Sequence, residues 1–245
     1  MARGHPKIRL FVEDALTAGA SVAPSRDQVH YLSAVMRQGP GGEVLLFNGR
    51  DGEWLAEIEL IGKRSAVLIC RVQERPQSKP PDIWLAFAPI KKARTDFIAE
   101  KATEMGVRRI LPVTTRRTNS DRVREDRLRA HAVEAAEQCG LLAVPQVDPV
   151  IRLEKLLDDW NPARRIMFCD ETGDHGAAAD TLRAAEDGPW AVLIGPEGGF
   201  DAGEVSRLRA LPFSVPVSLG PRILRADTAA VAALSLWQST LGDWR

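Results

Sequence analysis

Twice between Ala191 and Trp237 an apolar run ends in a glycine loop and gives way to a helix, an order that few folds accommodate. Ala191-Val-Leu-Ile194 is short, wholly apolar and closed by Gly195-Pro-Glu-Gly-Gly-Phe200, which suits a strand buried on both faces. Asp201, with Glu204 three residues on, has the pattern of a capping box for a helix through Ala210. Val215-Pro-Val-Ser-Leu219 repeats the strand and Gly220-Pro-Arg-Ile-Leu-Arg225 the loop. Asp227 or Thr228 is the expected cap of a last helix that reaches about Leu241. Loops at the carboxyl ends of strands are where open α/β sheets bind ligands, and glycines let the backbone approach a flat one closely. Neither GxGxxG nor GxxxxGK[ST] occurs, so the expected ligand is not one held by its pyrophosphate. Alone, either loop is better read as an ordinary turn in such a sheet.

The chain upstream keeps the same grammar as far back as Ile83. Strands are expected over Ile83–Ala88, Ile110–Thr114 and Ile166–Cys169. Helices are expected over Thr95–Met105, closed by Gly106, and over Asp121–Cys139, closed by Gly140. Shorter helices follow over Arg152–Trp160 and Ala177–Ala185. Strands separated by helices imply parallel βαβ units, here about five or six strands in an α/β fold.

Residues 1–74 read differently, as an all-β unit. Ile8–Val12 is a strand and Ser25–Arg37 a short helix with Ser25 as N-cap. Glu43–Phe47, the turn Asn48-Gly-Arg-Asp-Gly52 and Glu53–Ile61 form a hairpin, and Ala66–Val72 adds a third strand. Gln73–Asp82 carries three prolines and almost no apolar side chain. It reads as an extended linker, which places the domains at 1–74 and 75–245.

Composition closes off several functions. With 33 basic and 33 acidic residues the chain has no net field toward nucleic acid, so RNA contact would need local basic patches. Cys70, Cys139 and Cys169 are far apart and read as buried free thiols, and His5, His30, His131 and His175 form no ligand pattern, so no metal is expected. No apolar stretch is long enough to span a membrane and no secretory h-region appears, so cytoplasm is the expected location.

Several motifs in order resemble the RsmE family, SPOUT-class methyltransferases acting on uridine N3 of small-subunit (16S) ribosomal RNA. They are Arg9-Leu-Phe-Val12, Glu100-Lys-Ala-Thr-Glu-Met-Gly106, Glu134-Ala-Ala-Glu-Gln-Cys139, Gly195-Pro-Glu-Gly-Gly-Phe200, Leu219-Gly-Pro-Arg-Ile-Leu-Arg225 and Asp227-Thr-Ala229. The chain departs from the family at Asp227, where glutamate is usual, and at Leu141-Leu142, where more polar residues are usual. The resemblance implies a PUA-like β-barrel for RNA binding, then a SPOUT parallel α/β sheet with a trefoil knot, assembled as a homodimer. It also implies S-adenosylmethionine as cofactor and ribosomal RNA or the assembled small subunit as substrate.

On that resemblance the cofactor site comprises Gly195, Pro196, Glu197, Gly199, Leu219, Gly220, Ile223, Leu224, Arg225, Thr228 and Ala229. Deprotonation of uridine N3 spreads charge onto O2 and O4, where a guanidinium would stabilise it. Arg225 is the first choice for that role and Arg9 the second, with Glu197 or Asp227 to take the proton. Glu197 reads equally as a cap of loop amides. Candidate RNA contacts are Arg3, Lys7 and Arg9; Lys91, Lys92 and Arg94; Arg116 and Arg117; and Arg222. The sign-alternating run Asp121–Arg129 reads instead as a solvated helix face. Two other functions stay open: methylation of another RNA position such as a ribose 2′-OH, and non-catalytic RNA binding in ribosome assembly.

Overall fold

The computed structural model describes residues 8–119, 123–171 and 175–245. It comprises two compact units, one of residues 1–79 with 136–144, the other of residues 80–135 with 145–245.

The first unit is a five-stranded sheet. Its strands are β1 (Arg9–Phe11), β2 (Ser21–Val22), β3 (Glu43–Phe47), β4 (Glu53–Ile61) and β5 (Ala66–Arg75), in the order β1-β3-β4-β5-β2. β1 runs parallel to β3 and the remaining pairs are antiparallel. Register breaks at three points along β4–β5 bend the ladder and curl the sheet. Helix α1 (Arg26–His30) opens on a capping box between Ser25 and Gln28, as the sequence predicts, and continues into a π-helical turn over Tyr31–Val35. Val22, Leu32, Leu46, Ile58 and Leu68 fill the core with no exposed surface.

The strand after the hairpin does not stop at Val72. β5 continues to Arg75 because Glu53 accepts hydrogen bonds from Arg75 Nε at 2.7 Å and Nη2 at 2.9 Å. Gln77 Oε1 then accepts from Gly52 N, so the first half of the proline-bearing stretch is tied to the hairpin turn. Polar side chains, not apolar ones, set this boundary between Lys79 and Pro80.

The second unit runs β6 (Ile83–Phe87), α2 (Lys92–Glu104), β7 (Arg109–Thr114), α3 (Glu125–Cys139), β8 (Gln146–Val147) and β9 (Ile151–Arg152). It goes on through α4 (Leu153–Asp158), β10 (Arg165–Cys169), α5 (Ala178–Arg183), β11 (Trp190–Ile194), α6 (Ala202–Ala210), β12 (Ser214–Val217) and α7 (Ala226–Thr240). All its strands pair in parallel, in the order β12-β10-β11-β6-β7-β8, with β9 beside β7. The two-residue strands β8 and β9 carry too little pattern to be foreseen from sequence.

Alternate strand residues face two separate apolar layers. Ile83, Leu85, Phe87, Val192 and Ile194 pack with α2, α5 and α7, while Ala86, Leu111, Phe168, Ala191 and Leu193 pack with α4 and α6. Every residue of β11 is buried, as its apolar run predicts. On α7 the buried stripe runs from Ala226 through Ala230 and Leu234 to Trp237, while Val231, Ala232, Ser235 and Leu236 on the other side are half-buried.

Two expectations change here. Asp121, the predicted start of α3, lies outside the described residues, but Arg127 in the same charge run is not a solvated side chain. It binds Asp96 of α2 through two hydrogen bonds of 2.8 and 2.6 Å, and those bonds hold the Asp96 carboxyl below the usual carboxylate range. Cys139 is exposed, because it is the last residue of α3, while Cys70 is buried.

Candidate functional site

β10 lies between β12 and β11 in the sheet, so the loops after these three strands open at the same edge. A cavity of about 420 Å³ sits there. Gly195 to Glu197, Gly199 and Phe200 form one wall, Leu219 to Arg225 a second, and Cys169, Asp170 and Glu171 a third. Ile194, Ala226 and Ala229 complete it. The volume is that of a pocket for a small organic ligand, and the walls alternate apolar side chains with bare backbone, as such pockets do.

Each loop holds its shape for a local reason. The first is fixed at its far end by the predicted capping box: Asp201 Oδ1 accepts from Glu204 N at 2.7 Å and Glu204 Oε2 accepts from Asp201 N at 2.9 Å. The Asp201 carboxyl is held low by the Glu204 amide. Gly195 leaves room for the Phe200 ring, which a Cβ would meet at 2.7 Å; that ring stacks edge-on against Phe168 at 5.3 Å. Gly199, at φ +67°, leaves room for the Glu171 carboxylate. The second loop ends at Arg225, the N-cap of α7, so the unsatisfied amides of that helix start at the cavity edge.

The last helix is therefore capped differently from the sequence expectation. Asp227 and Thr228 lie inside its first turn, and no side chain caps it. Asp227 accepts from Thr228 N at 2.9 Å, and its other oxygen lies 3.6 Å from Arg94 Nη1. That pairing links a residue expected to take a proton with one expected to touch RNA.

Of the expected cofactor residues, all but Thr228 line the cavity. Arg222, expected only as an RNA contact, lines it too. Arg222 and Arg225 are exposed and, among the described residues, make no ion pair or side-chain hydrogen bond. Glu197 is exposed as well and caps no amide among the described residues. Sequence reasoning placed the end of β10 at Cys169, where it is found, but did not foresee that Cys169, Asp170 and Glu171 line the cavity. Burial pushes the Cys169 thiol up to about 12, so it stays protonated near neutrality and offers no thiolate nucleophile.

The other basic candidates divide sharply. Lys91 and Lys92, at the start of α2, are exposed. Arg116 lies 3.2 Å from Asp201 and 3.5 Å from Glu154, and Arg117 donates to the Gly198 carbonyl at 3.0 Å, so both brace the first loop. In the first unit, Arg9 donates to Glu53 at 2.7 Å and to the carbonyls of Ala136, Glu137 and Leu141. Its guanidinium also lies over the Phe47 ring. Arg3 and Lys7 lie outside the described residues.

Among the described residues no helix is long and apolar enough to cross a membrane, and no group of three His, Cys, Asp or Glu side chains could hold a metal ion.

Comparison with known proteins bears on what the cavity holds. Residues 77–238 match the profile of an RNA methyltransferase domain, and residues 24–70 that of an RNA methyltransferase PUA domain. The chain is 29% identical to ribosomal RNA small subunit methyltransferase E of Rickettsia conorii, over 93% of each chain. It is 30% identical to the protein of that name from Synechocystis, over 93% of this chain and 76% of the relative. Among solved structures it resembles that of Neisseria gonorrhoeae ribosomal RNA small subunit methyltransferase E bound to S-adenosyl methionine, at a TM-score of 0.87 and 26% identity, covering 97% of this chain and 99% of the other. A Legionella pneumophila methyltransferase in complex with the same cofactor matches at 0.86 and 27% identity, covering 96% and 98%.

Proposed function

We propose a function on the premise that this chain belongs to the RsmE family, ribosomal RNA small subunit methyltransferase E: it transfers a methyl group from S-adenosylmethionine to N3 of a uridine in 16S ribosomal RNA. The observation that carries the reading is the cavity itself. Both glycine loops face into it, and two arginines without a protein partner among the described residues stand on its wall.

The residues present fit the cofactor. Ile194, Phe200, Leu219 and Leu224 offer apolar surface to a purine, and backbone groups at Gly195, Gly199 and Gly220 are bare enough to hydrogen-bond it. When bound, S-adenosylmethionine supplies an electrophilic methyl group on a sulfonium, chemistry that needs no metal. The protein's share is positioning, exclusion of water and preparation of the nucleophile. Arg225 is placed to stabilise the charge that spreads onto uracil O2 and O4 when N3 loses its proton. Glu197 lines the cavity with its carboxylate unpaired among the described residues, whereas Asp227 is occupied by Arg94 and the Thr228 amide. Glu197 is therefore the better group to take the N3 proton. The Watson–Crick edge must be exposed for this, so the target uridine is single-stranded or flipped out.

Lys91, Lys92 and Arg222, exposed and without an ion pair among the described residues, would hold phosphates, and either free RNA or the assembled small subunit would present them. Membership of the family brings further features into the proposal: closure of the N-terminal sheet as a PUA-like barrel, a trefoil knot in the C-terminal segment, a cytoplasmic location and a homodimer. The half-buried apolar side of α7, with Ile223 at 84% exposure nearby in sequence, supports the dimer.

The test is incubation of the protein with donor and small ribosomal subunits, followed by mass spectrometry of the RNA. Methyl on uridine N3 supports the proposal. Methyl on a ribose 2′-oxygen would move the chain to a different target, and RNA binding without any methyl transfer would make it an assembly protein.

A further inference from the structure

The wall of the cavity contributed by β10 carries two adjacent carboxylates in opposite circumstances. Asp170 is 4% exposed, and it accepts from Arg209 Nε at 3.0 Å and Nη2 at 2.7 Å, with His175 Nε2 at 3.1 Å. Its charge is balanced within the protein. Glu171 is exposed and has no ion pair or hydrogen bond among the described residues. Its carboxylate nevertheless has a defined seat. A Cβ built on Gly199 would lie 1.9 Å from Glu171 Oε1, so the carboxylate fills the space the glycine leaves.

We propose that Glu171 is the residue by which the cavity prefers the charged methyl donor over its demethylated product. The inference rests on the reading of this cavity as the S-adenosylmethionine site. Donor and product share adenine, ribose and amino-acid parts, and differ by one methyl group and one positive charge. The apolar walls bind what the two share and cannot weigh that charge. Arg222 and Arg225 would disfavour it, and Asp170 is already neutralised. A fixed carboxylate against apolar surface favours a cation more strongly than one in open water. Loss of that attraction on methyl transfer would speed departure of the product.

Calorimetry with S-adenosylmethionine and with S-adenosylhomocysteine tests this without reference to turnover. Glu171→Gln should weaken the donor roughly tenfold, the size of one screened charge contact at such a wall, and leave the product within about twofold. Glu171→Ala, which removes the carboxylate without touching the glycine loop, should reduce the donor-to-product ratio in the same way. Equal weakening of both ligands, or no change in the ratio, would overturn the role of Glu171. If the unaltered protein bound neither ligand, the cofactor reading itself would fall, a result distinct from either of those.

Discussion

Arg9 and Arg225 invite the same reading from sequence and stand in opposite conditions in the two units. In the first unit the Arg9 side chain is 12% exposed and its donors are taken by Glu53 and by three carbonyls around the end of α3. In the second, Arg225 is exposed on a cavity wall with no protein partner among the described residues. A guanidinium whose hydrogen bonds are complete stabilises the fold. One held by its backbone at a helix cap, with its donors open, is available to a ligand. Glu53 makes the same point from the acidic side: burial alone would raise its carboxyl, but hydrogen bonds from Arg75 and Arg9 outweigh that and hold it below the usual range.

The contrast can be broken most directly at Arg225. Arg225→Ala should cut methyl transfer by about 10²–10³-fold, the cost of losing one donor aimed at developing negative charge. Donor affinity by calorimetry should stay within about twofold; equal loss of both would assign Arg225 to cofactor binding alone. On the other side, Glu53→Gln should destabilise the protein by roughly 3 kcal/mol in denaturant titration, since it leaves Arg9 with a buried charge uncompensated. A stable Glu53→Gln protein would show that the ionic knot is decorative.

Acid sharpens the same comparison. Because the folded Glu53 carboxyl is lowered, its stabilisation is present above the ordinary carboxylate range and disappears as pH falls through the lowered value. Melting temperature should therefore drop in acid for the unaltered protein and drop less for Glu53→Gln. Asp201→Ala, which removes the cap beside the first glycine loop, should cost about 1 kcal/mol. The smallest effect is expected at Lys92, an exposed cation like Arg225 but one that does not line the cavity. Lys92→Ala should lower the salt dependence of RNA binding by about one unit of slope, measured by titration at several ionic strengths.

Much of the second unit was legible before any coordinates. The Asp201–Glu204 capping box, the all-buried β11 and the helix ends before Gly106 and Gly140 follow from short-range patterns and are found as read. Nearly all the residues that the family resemblance assigns to the cofactor line one cavity. The cap of α7 was misplaced because Asp227 is a good capping residue that here pairs with Arg94, far away in the chain. The end of β5 was misplaced because Glu53 holds Arg75 across the ladder.

The sequence by itself determined where strands and helices alternate, where they stop, and which two loops could bind a flat ligand. Those properties depend on hydrogen bonds and apolar spacing within a few residues of one another. Only the tertiary structure decided that β10 lies between β12 and β11, which brings Glu171 to the cavity, and which arginines are already bound. Strand order and charge pairing join residues tens of positions apart, and no local pattern records them.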